Sequence, residues 1–177
     1  GKSWSFNTKT KQLSADTKSS LPEGSLFEEK ADDGSMAWVL DSNIWVESKG
    51  QRKQVTTDGN YGLVYGKSVH REEFGIEKGM FWSPRAAHLA FYRMDQSMVT
   101  DYPIIDFNEK PGKDNPVKYP LSGGKSHEVT VGIYDVLTNR SIYLQTGEPK
   151  EQYLTNIAWS PDEQYVYIAV LNRAQDH

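Results

Sequence analysis

Two neighbouring glutamates, Glu72 and Glu73, are the residues whose type and spacing most suggest chemistry, and they lie in the run His70 to Gly75. Two carboxylates held side by side repel each other, and a bound cation relieves that repulsion. Hydrogen bonds from a charged donor to such carboxylates are roughly twice as strong as bonds between neutral groups. The pair is therefore chemically suited to a cationic group, although a Glu-Glu pair flanked by His and Arg is usually a solvated helix start or a salt-bridged surface.

Motifs of other common active sites fail on spacing or are absent. The run Gly62 to Ser68 has three residues between its glycines where a phosphate-binding loop needs four. The sequence Gly124-Lys125-Ser126 has Tyr119 at the position of the first glycine of that loop. No Gly-x-Ser-x-Gly sequence is present, so a serine hydrolase centre of that kind is not expected on this chain.

The sequence also gives no sign of a metal site. It contains no cysteine, which excludes disulfides, thiolate zinc sites and a cysteine nucleophile. The histidines are far apart in sequence and lack ligand spacing; they are His70, His88, His127 and His177. His88 falls in a strand-like run and is predicted to be a surface or hydrogen-bonded residue. We expect no metal ion and no other cofactor.

The composition narrows the class of protein. The 177 residues are 37% hydrophobic and 25% charged, which is typical of one globular domain. A net charge of -4 argues against a nucleic-acid partner, because such binders present a concentrated basic face. No apolar run approaches the roughly 20 residues that span a bilayer, so no membrane span is predicted. Frequent aromatic residues in short segments between polar turns favour strands.

Two kinds of repeated unit organise the chain. The first is a polar turn followed by an alternating apolar strand, at residues 31–39, 82–92 and 159–168. Matching positions are Met36, Leu89 and Val166, which are 53 and then 77 residues apart. The second is a strand, a tight turn and another strand, at residues 4–13, 44–55 and 131–144.

Two hairpins per repeat make four strands, which is the strand number of a propeller blade. We predict an all-β chain, with residues 1–177 forming an incomplete β-propeller of roughly three four-stranded antiparallel blades. Trp82, Trp159 and the tyrosines are predicted to be blade core. Insertions are expected at residues 60–79, which include the glutamate pair, and at the proline-rich residues 95–128. The outer strands are expected to have exposed edges.

The surroundings of the glutamate pair resemble a known family. A Glu-Glu pair about ten residues ahead of the Trp-Ser-Pro sequence at residues 82–84 is similar to the propeller of the dipeptidyl peptidase IV family. Residues 91–99, 129–134, 147–151 and 171–175 resemble the bacterial members, including prolyl tripeptidyl aminopeptidases. The likeness extends over nearly the whole chain and is weakest in the first thirty residues and in the proline-rich insertion.

The resemblance implies a function for Glu72 and Glu73. In the family this pair lies on a short helical segment that projects from the propeller, and it binds the free amino group of a peptide substrate. An α-amino group has a pKa of about 7.7 to 8.0 and is largely cationic at neutral pH, so it suits two carboxylates. Internal peptide segments bring no such charge. The resemblance thus implies a serine exopeptidase that releases dipeptides after a penultimate proline or alanine.

Three alternatives remain. A prolyl tripeptidyl aminopeptidase would cut one residue further along, but we expect that branch to keep only one glutamate of the pair. A non-catalytic propeller that binds other proteins or glycans would carry no hydrolase domain. A propeller glycosidase is disfavoured. It needs two carboxylates about 5 to 9.5 Å apart across a pocket, and adjacent glutamates on one short segment are poorly placed for that.

The resemblance also predicts partners and location. The catalytic Ser, Asp and His are expected in an α/β-hydrolase domain beyond His177, and an assisting arginine is expected before Gly1. We therefore expect no catalytic residue among residues 1–177 and no peptide hydrolysis by this chain alone. The predicted substrates are peptide N-termini, a homodimer is left open, and the expected location is the periplasm or cell envelope.

Overall fold

The computed structural model describes residues 4–15 and 21–177, and within them the structure is almost entirely β. These residues form seventeen strands in antiparallel sheets, together with one short 3-10 segment. In that described part, no helix is long and apolar enough to cross a membrane.

The first sheets are a hairpin and a complete blade. The hairpin pairs β1 (Trp4–Asn7) with β2 (Gln12–Ala15). The blade is a meander in which each strand pairs with the next, and its strands are β3 (Leu26–Lys30), β4 (Met36–Leu40), β5 (Asn43–Ser48) and β6 (Gln51–Gln54).

The second blade begins with a divided strand. Its first position is shared by β7 (Leu63–Tyr65) and β8 (Met80–Trp82), which pair with opposite ends of β9 (His88–Asp95). The chain leaves the sheet after Tyr65 and returns at Met80. The intervening residues, 66–79, include the glutamate pair. The insertion is therefore shorter than the predicted range 60–79, because Leu63–Tyr65 form β7, and it interrupts one strand position of the blade.

A long hairpin separates β9 from the rest of the second blade. It consists of two short ladders, and its strands are β10 (Asp101–Tyr102), β11 (Ile105–Asp106), β12 (Lys113–Asp114) and β13 (Val117–Lys118). This insertion hairpin is mostly exposed. It occupies the region in which the sequence predicted an insertion, residues 95–128.

The last strands complete the second blade and begin a further unit. The blade is closed by β14 (Glu128–Asp135), which pairs with β9, and by β15 (Arg140–Tyr143). A final hairpin joins β16 (Gln152–Trp159) to β17 (Val166–Asn172). Two blades with four strand positions each, flanked by two hairpins, confirm the predicted all-β fold of roughly three four-stranded antiparallel blades.

The core lies in two layers on the two faces of the second blade. Strand β9 shows why, because side chains alternate between the faces of a strand. Leu89 and Phe91 pack towards the first blade, with Ile44 and Val46 of β5. Ala90, Tyr92 and Met94 pack on the other side, against Leu154 of β16 and its neighbours. Blades therefore stack face to face, and residues of β16 contact side chains of the divided strand's insertion.

The Ser-Pro turns of the repeated unit have the same geometry in both copies. The amide of Ser83 donates to the carbonyl oxygen of His88 at 2.9 Å, and the amide of Ser160 donates to that of Tyr165 at 2.9 Å. Each serine hydroxyl accepts the amide of the same partner residue, at 3.0 and 2.9 Å. The turn predicted from the sequence is thus built by the serine as well as by the proline.

Candidate functional site

The two glutamates lie on a loop that leaves the sheet through a narrow neck. We call residues 67–78 the Glu segment. At the neck, the amide of Gly66 donates to the carbonyl oxygen of Tyr92, and the amide of Tyr92 donates to that of Gly79, both at 2.9 Å. A Cβ on Gly79 would collide with the carbonyl group of Lys67. Glycine is therefore required at this position, because the two arms of the loop pass too close for a side chain.

The backbone between Val69 and Ile76 forms two tight turns. In the first, the amide of Glu72 donates to the carbonyl oxygen of Val69 at 3.1 Å; in the second, the amide of Ile76 donates to that of Glu73 at 3.2 Å. Positive φ angles of 52° to 64° occur at four non-glycine residues, which are His70, Arg71, Glu72 and Phe74.

The short helical segment expected from the resemblance is present, but its backbone conformation is unfavourable in energy. The 3-10 segment His70–Gly75 is present, but its backbone is largely left-handed. The left-handed conformation is less favourable than the right-handed one by roughly 1 to 2 kcal/mol for each residue that has a Cβ. Such strain persists only where surrounding contacts compensate for it, and it is concentrated at functional sites.

Four side chains fasten the Glu segment to different parts of the molecule. His70, only 5% exposed, accepts the amide of Leu154 in β16 at 3.2 Å. The Arg71 guanidinium lies over the ring of Tyr119 in the insertion hairpin, 4.4 Å from its centroid. The remaining two contacts are an aromatic one between Phe74 and Tyr153 and an ion pair between Lys78 and Glu29 at 2.9 Å.

Glu72 and Glu73 themselves are exposed. Glu72 Oε1 accepts a hydrogen bond from the hydroxyl of Ser68 at 3.1 Å. Over residues 4–15 and 21–177, neither glutamate takes part in an ion pair within 4 Å, whereas the nearby Lys78 does. The salt-bridged surface considered from the sequence is thus not what the structure shows, whereas the exposure of both carboxylates agrees with a solvated surface as well as with a binding site. Two carboxylates close in sequence remain available to a ligand.

A pocket of about 300 Å³ lies between the Glu segment and the insertion hairpin. Glu72, Lys67 and His127 line it, together with Met94 and Lys118. A larger pocket of about 640 Å³ lies elsewhere, between the first two blades, and contains neither glutamate. The smaller pocket is therefore a concave surface next to Glu72, and Glu73 does not line it.

The structure brings together two histidines that the sequence left far apart. His70 Nδ1 and His127 Nε2 are 3.1 Å apart, although the residues are 57 positions apart in the chain. Burial, reinforced by electrostatic interaction with His127 and Arg173, lowers the pKa of His70 to about 3. Burial also lowers the pKa of His127, with Arg173 and Arg71 adding to the effect. Both rings are therefore neutral at neutral pH.

The other two histidines lie away from this site. The ring of His88 is stacked against that of Trp159, with centroids 5.8 Å apart, and its Nδ1 lies 3.7 Å from a carboxylate oxygen of Asp135. His177 is exposed. In the part of the chain that the structure describes, no group of three or more acidic or histidine side chains is arranged to hold a metal ion.

The fold and the site together define the class of this chain. Antiparallel four-stranded blades stacked face to face are the architecture of β-propeller domains, and here one strand is interrupted to carry an exposed acidic pair. The sequence model of the dipeptidyl peptidase IV (DPP IV) N-terminal region matches residues 4–177. The chain therefore belongs to that family.

Known proteins of similar sequence or structure match this chain over almost its whole length. A probable dipeptidyl-aminopeptidase B from Phaeosphaeria nodorum is 26% identical over 98% of this chain. A candidate dipeptidyl aminopeptidase IV from Bacteroides ovatus, known from a crystal structure, has 44% sequence identity over 99% of the chain and a TM-score of 0.81. Dipeptidyl peptidase 4 from Porphyromonas gingivalis is 27% identical over 98%, also with a TM-score of 0.81.

These relatives are much longer than the chain. The matched region makes up 21% of the fungal protein and 24% and 25% of the two bacterial ones.

Proposed function

We propose that Glu72 and Glu73 bind the free amino terminus of a peptide substrate, as the anchoring part of a dipeptidyl peptidase. The observation that carries the proposal is an exposed carboxylate pair, without an ion-pair partner among the described residues, on a strained and fastened segment. Left-handed backbone at four non-glycine residues disfavours folding, and strain of this kind is concentrated at functional sites. An ordinary solvated surface would not require it.

The chemistry of the pair suits an ammonium group. A peptide's α-amino group is largely cationic at neutral pH, and it can donate three hydrogen bonds to carboxylate oxygens. Its charge relieves the repulsion between the two glutamates. An internal peptide segment or a blocked N-terminus brings no charge and leaves that repulsion in place. The site therefore selects chain ends and makes the enzyme an exopeptidase.

We further propose that the product is a dipeptide ending in proline or alanine. An extended residue spans about 3.3 to 3.6 Å, so the distance from anchor to nucleophile sets how many residues are removed. The relatives are named dipeptidyl aminopeptidases or dipeptidyl peptidases. Together with the intact glutamate doublet, these names support dipeptide release over tripeptide release.

The remaining parts of the enzyme are proposed to lie outside this chain. The match covers about a quarter or less of each named peptidase, which supports a larger parent in which an α/β-hydrolase domain supplies the Ser, Asp and His. In that arrangement the propeller admits and holds the peptide while the second domain cleaves it. We propose that the parent acts in the periplasm or cell envelope.

The test uses the full-length protein and a chromogenic Xaa-Pro substrate, with a free or an acetylated amino terminus. In the Glu72→Gln/Glu73→Gln variant, shape is kept and charge is lost. We expect kcat/KM for the free substrate to fall more than about tenfold, mainly through KM. The exposed carboxylates become buried when the peptide covers them, and losing one partner of a buried charged pair typically costs about 2 to 5 kcal/mol. Glu77→Gln, on the same segment, is the matched control and should change little.

Two results would contradict the anchoring role. One is unchanged kinetics in the double variant. The other is wild-type protein that cleaves the acetylated substrate as well as the free one, because acetylation removes the charge that the glutamates are proposed to bind.

A further inference from the structure

We propose that His70 is a positioning residue for this anchor: with His127 it forms a hydrogen-bonded chain to the backbone of Leu154 that holds Glu72 and Glu73 in place. The inference rests on the proposed function of the glutamate pair. It adds two histidines that act through the glutamates, although both also line the pocket beside Glu72.

The direction of each hydrogen bond follows from one fixed donor. A backbone amide can only donate, so the amide of Leu154 requires a lone pair on His70 Nε2, 3.2 Å away. Neutral His70 then carries its proton on Nδ1 and donates it to His127 Nε2, 3.1 Å away. His127 accepts there and has its own proton on Nδ1. Both tautomers are thus determined by the main chain of β16.

The hydrogen-bonded chain of side chains begins where the left-handed backbone of the Glu segment starts. His70 opens the run of three left-handed residues that ends at Glu72. Its ring also contacts the edge of the Tyr153 ring, with centroids 5.0 Å apart. A ring held on three sides fixes the first residue of the run, and the turn that closes at Glu72 follows from it. Without these contacts, the contacts of Arg71, Phe74 and Lys78 still fasten the segment, but the first residue of the left-handed run is no longer held and the carboxylates shift.

The electrostatic surroundings preserve the hydrogen bonds that link His127, His70 and Leu154. Burial of His70 and the cationic side chains of Arg71 and Arg173 near the pair oppose protonation of either ring. A proton on His70 Nε2 would point at the Leu154 amide, and a proton on His127 Nε2 would point at His70 Nδ1–H. The arrangement therefore exists only with both rings neutral.

The structure offers a control at the same interface. The Tyr92 hydroxyl donates to the carbonyl oxygen of Leu154 at 2.8 Å. Tyr92→Phe therefore removes a buried hydrogen bond to the same residue of β16, but Tyr92 belongs to β9 and not to the Glu segment. A general loosening of the blade interface would affect both variants, whereas loss of positioning would affect only variants of His70.

The experiment measures KM and kcat of the full-length protein with a free Xaa-Pro substrate. His70→Phe keeps an aromatic ring but removes both hydrogen bonds, and we expect KM to rise about tenfold while kcat changes less. His70→Gln offers one acceptor and one donor and should restore KM to within about threefold of wild type. Tyr92→Phe should leave KM within about twofold while lowering the melting temperature.

A double-mutant comparison separates positioning from binding. In the Glu72→Gln/Glu73→Gln background, His70→Phe should change KM by less than about twofold, because a residue that acts through the glutamates has nothing left to position. If His70→Phe does not fold, His127→Leu tests the outer link of the chain, and its KM should rise at least about threefold.

The outcomes are distinguishable. Unchanged kinetics in the double glutamine variant overturn the proposed function and this inference with it. A raised KM in the double glutamine variant, together with a normal KM in His70→Phe or in His127→Leu, overturns the positioning role alone. An equal rise in Tyr92→Phe, or an undiminished effect of His70→Phe in the double glutamine background, also overturns it.

Discussion

Trp159 donates its indole N–H to the main-chain carbonyl oxygen of Phe81 at 2.9 Å, and Trp82 makes the equivalent bond to Glu29 at 3.1 Å. Each tryptophan opens a Trp-Ser-Pro sequence, and each bond reaches back to the first strand of the preceding blade. The repeated sequence motif is thus a repeated contact between blades. Both rings also pack on the core, as the sequence predicted. The accompanying prediction that the tyrosines are blade core was wrong for six of them, which are exposed: Tyr61, Tyr102, Tyr119, Tyr143, Tyr165 and Tyr167.

These bonds predict a stability difference. Trp159→Phe and Trp82→Phe each leave a half-buried carbonyl without its donor, which should lower the free energy of unfolding by about 1 to 3 kcal/mol. The effects should add, because the two bonds lie at different blade interfaces. Chemical denaturation measures them, with the exposed Tyr165→Phe as the control. A loss below about 0.5 kcal/mol for both tryptophans would refute the contribution of these contacts.

The neck of the Glu segment predicts a strict requirement for glycine. Gly79→Ala places a methyl group against the backbone of Lys67 and Gly66, which cannot move away as a side chain could. We expect a loss of about 1 to 3 kcal/mol in the free energy of unfolding and faster proteolysis of the Glu segment. Gly62→Ala, whose methyl group meets only ordinary contacts, is the control. Equal stability of the two variants would contradict this account.

The centre of the second blade contains a glycine that accommodates an aromatic ring. Gly132 pairs directly with Phe91 across β14 and β9, and a Cβ at Gly132 would collide with that ring. Gly132→Ala should therefore destabilise the protein by about 1 to 3 kcal/mol. Adding Phe91→Leu should make the alanine less harmful, and a double-mutant cycle measures that coupling. Strictly additive effects would show that the ring does not require the glycine.

The two neutral histidines predict a loss of stability in acid. An unfolded histidine has a pKa of about 6.5, whereas burial lowers that of His70 to about 3 and that of His127 below its ordinary value. Between these values the unfolded chain binds a proton that the folded one does not. The stabilisation is complete above pH ~6.5 and falls as pH drops towards 3, by at most about 1.4 kcal/mol per pH unit for each histidine.

Urea denaturation between pH 7 and pH 4 checks this prediction by comparing wild type with His70→Gln. Titration of the carboxylates occurs in both proteins and largely cancels in the difference. We expect wild type to lose stability more steeply with falling pH than the variant. Parallel pH dependences would show that His70 is protonated equally in the folded and unfolded chain.

Several features follow from local sequence patterns. Alternation of apolar residues and Ser-Pro turns predicted the strands and their grouping into blades, because a strand's two faces and a tight turn are each determined by a few consecutive residues. The glutamate pair stood out because both carboxylates are adjacent in the chain.

Other features had no local signal. His70 and His127 are 57 positions apart, and His70 and Leu154 are 84 apart, so no spacing rule could have paired them. Nor did the sequence show that Glu72 lies in left-handed backbone, since intrinsic preference disfavours it there. The amino-acid sequence by itself determined the strands, the turns and the acidic pair through contacts between near neighbours. Only the tertiary structure decided that the first strand position of the second blade is divided between β7 and β8, and how the Glu segment is fastened, because stacked blades bring distant residues into contact.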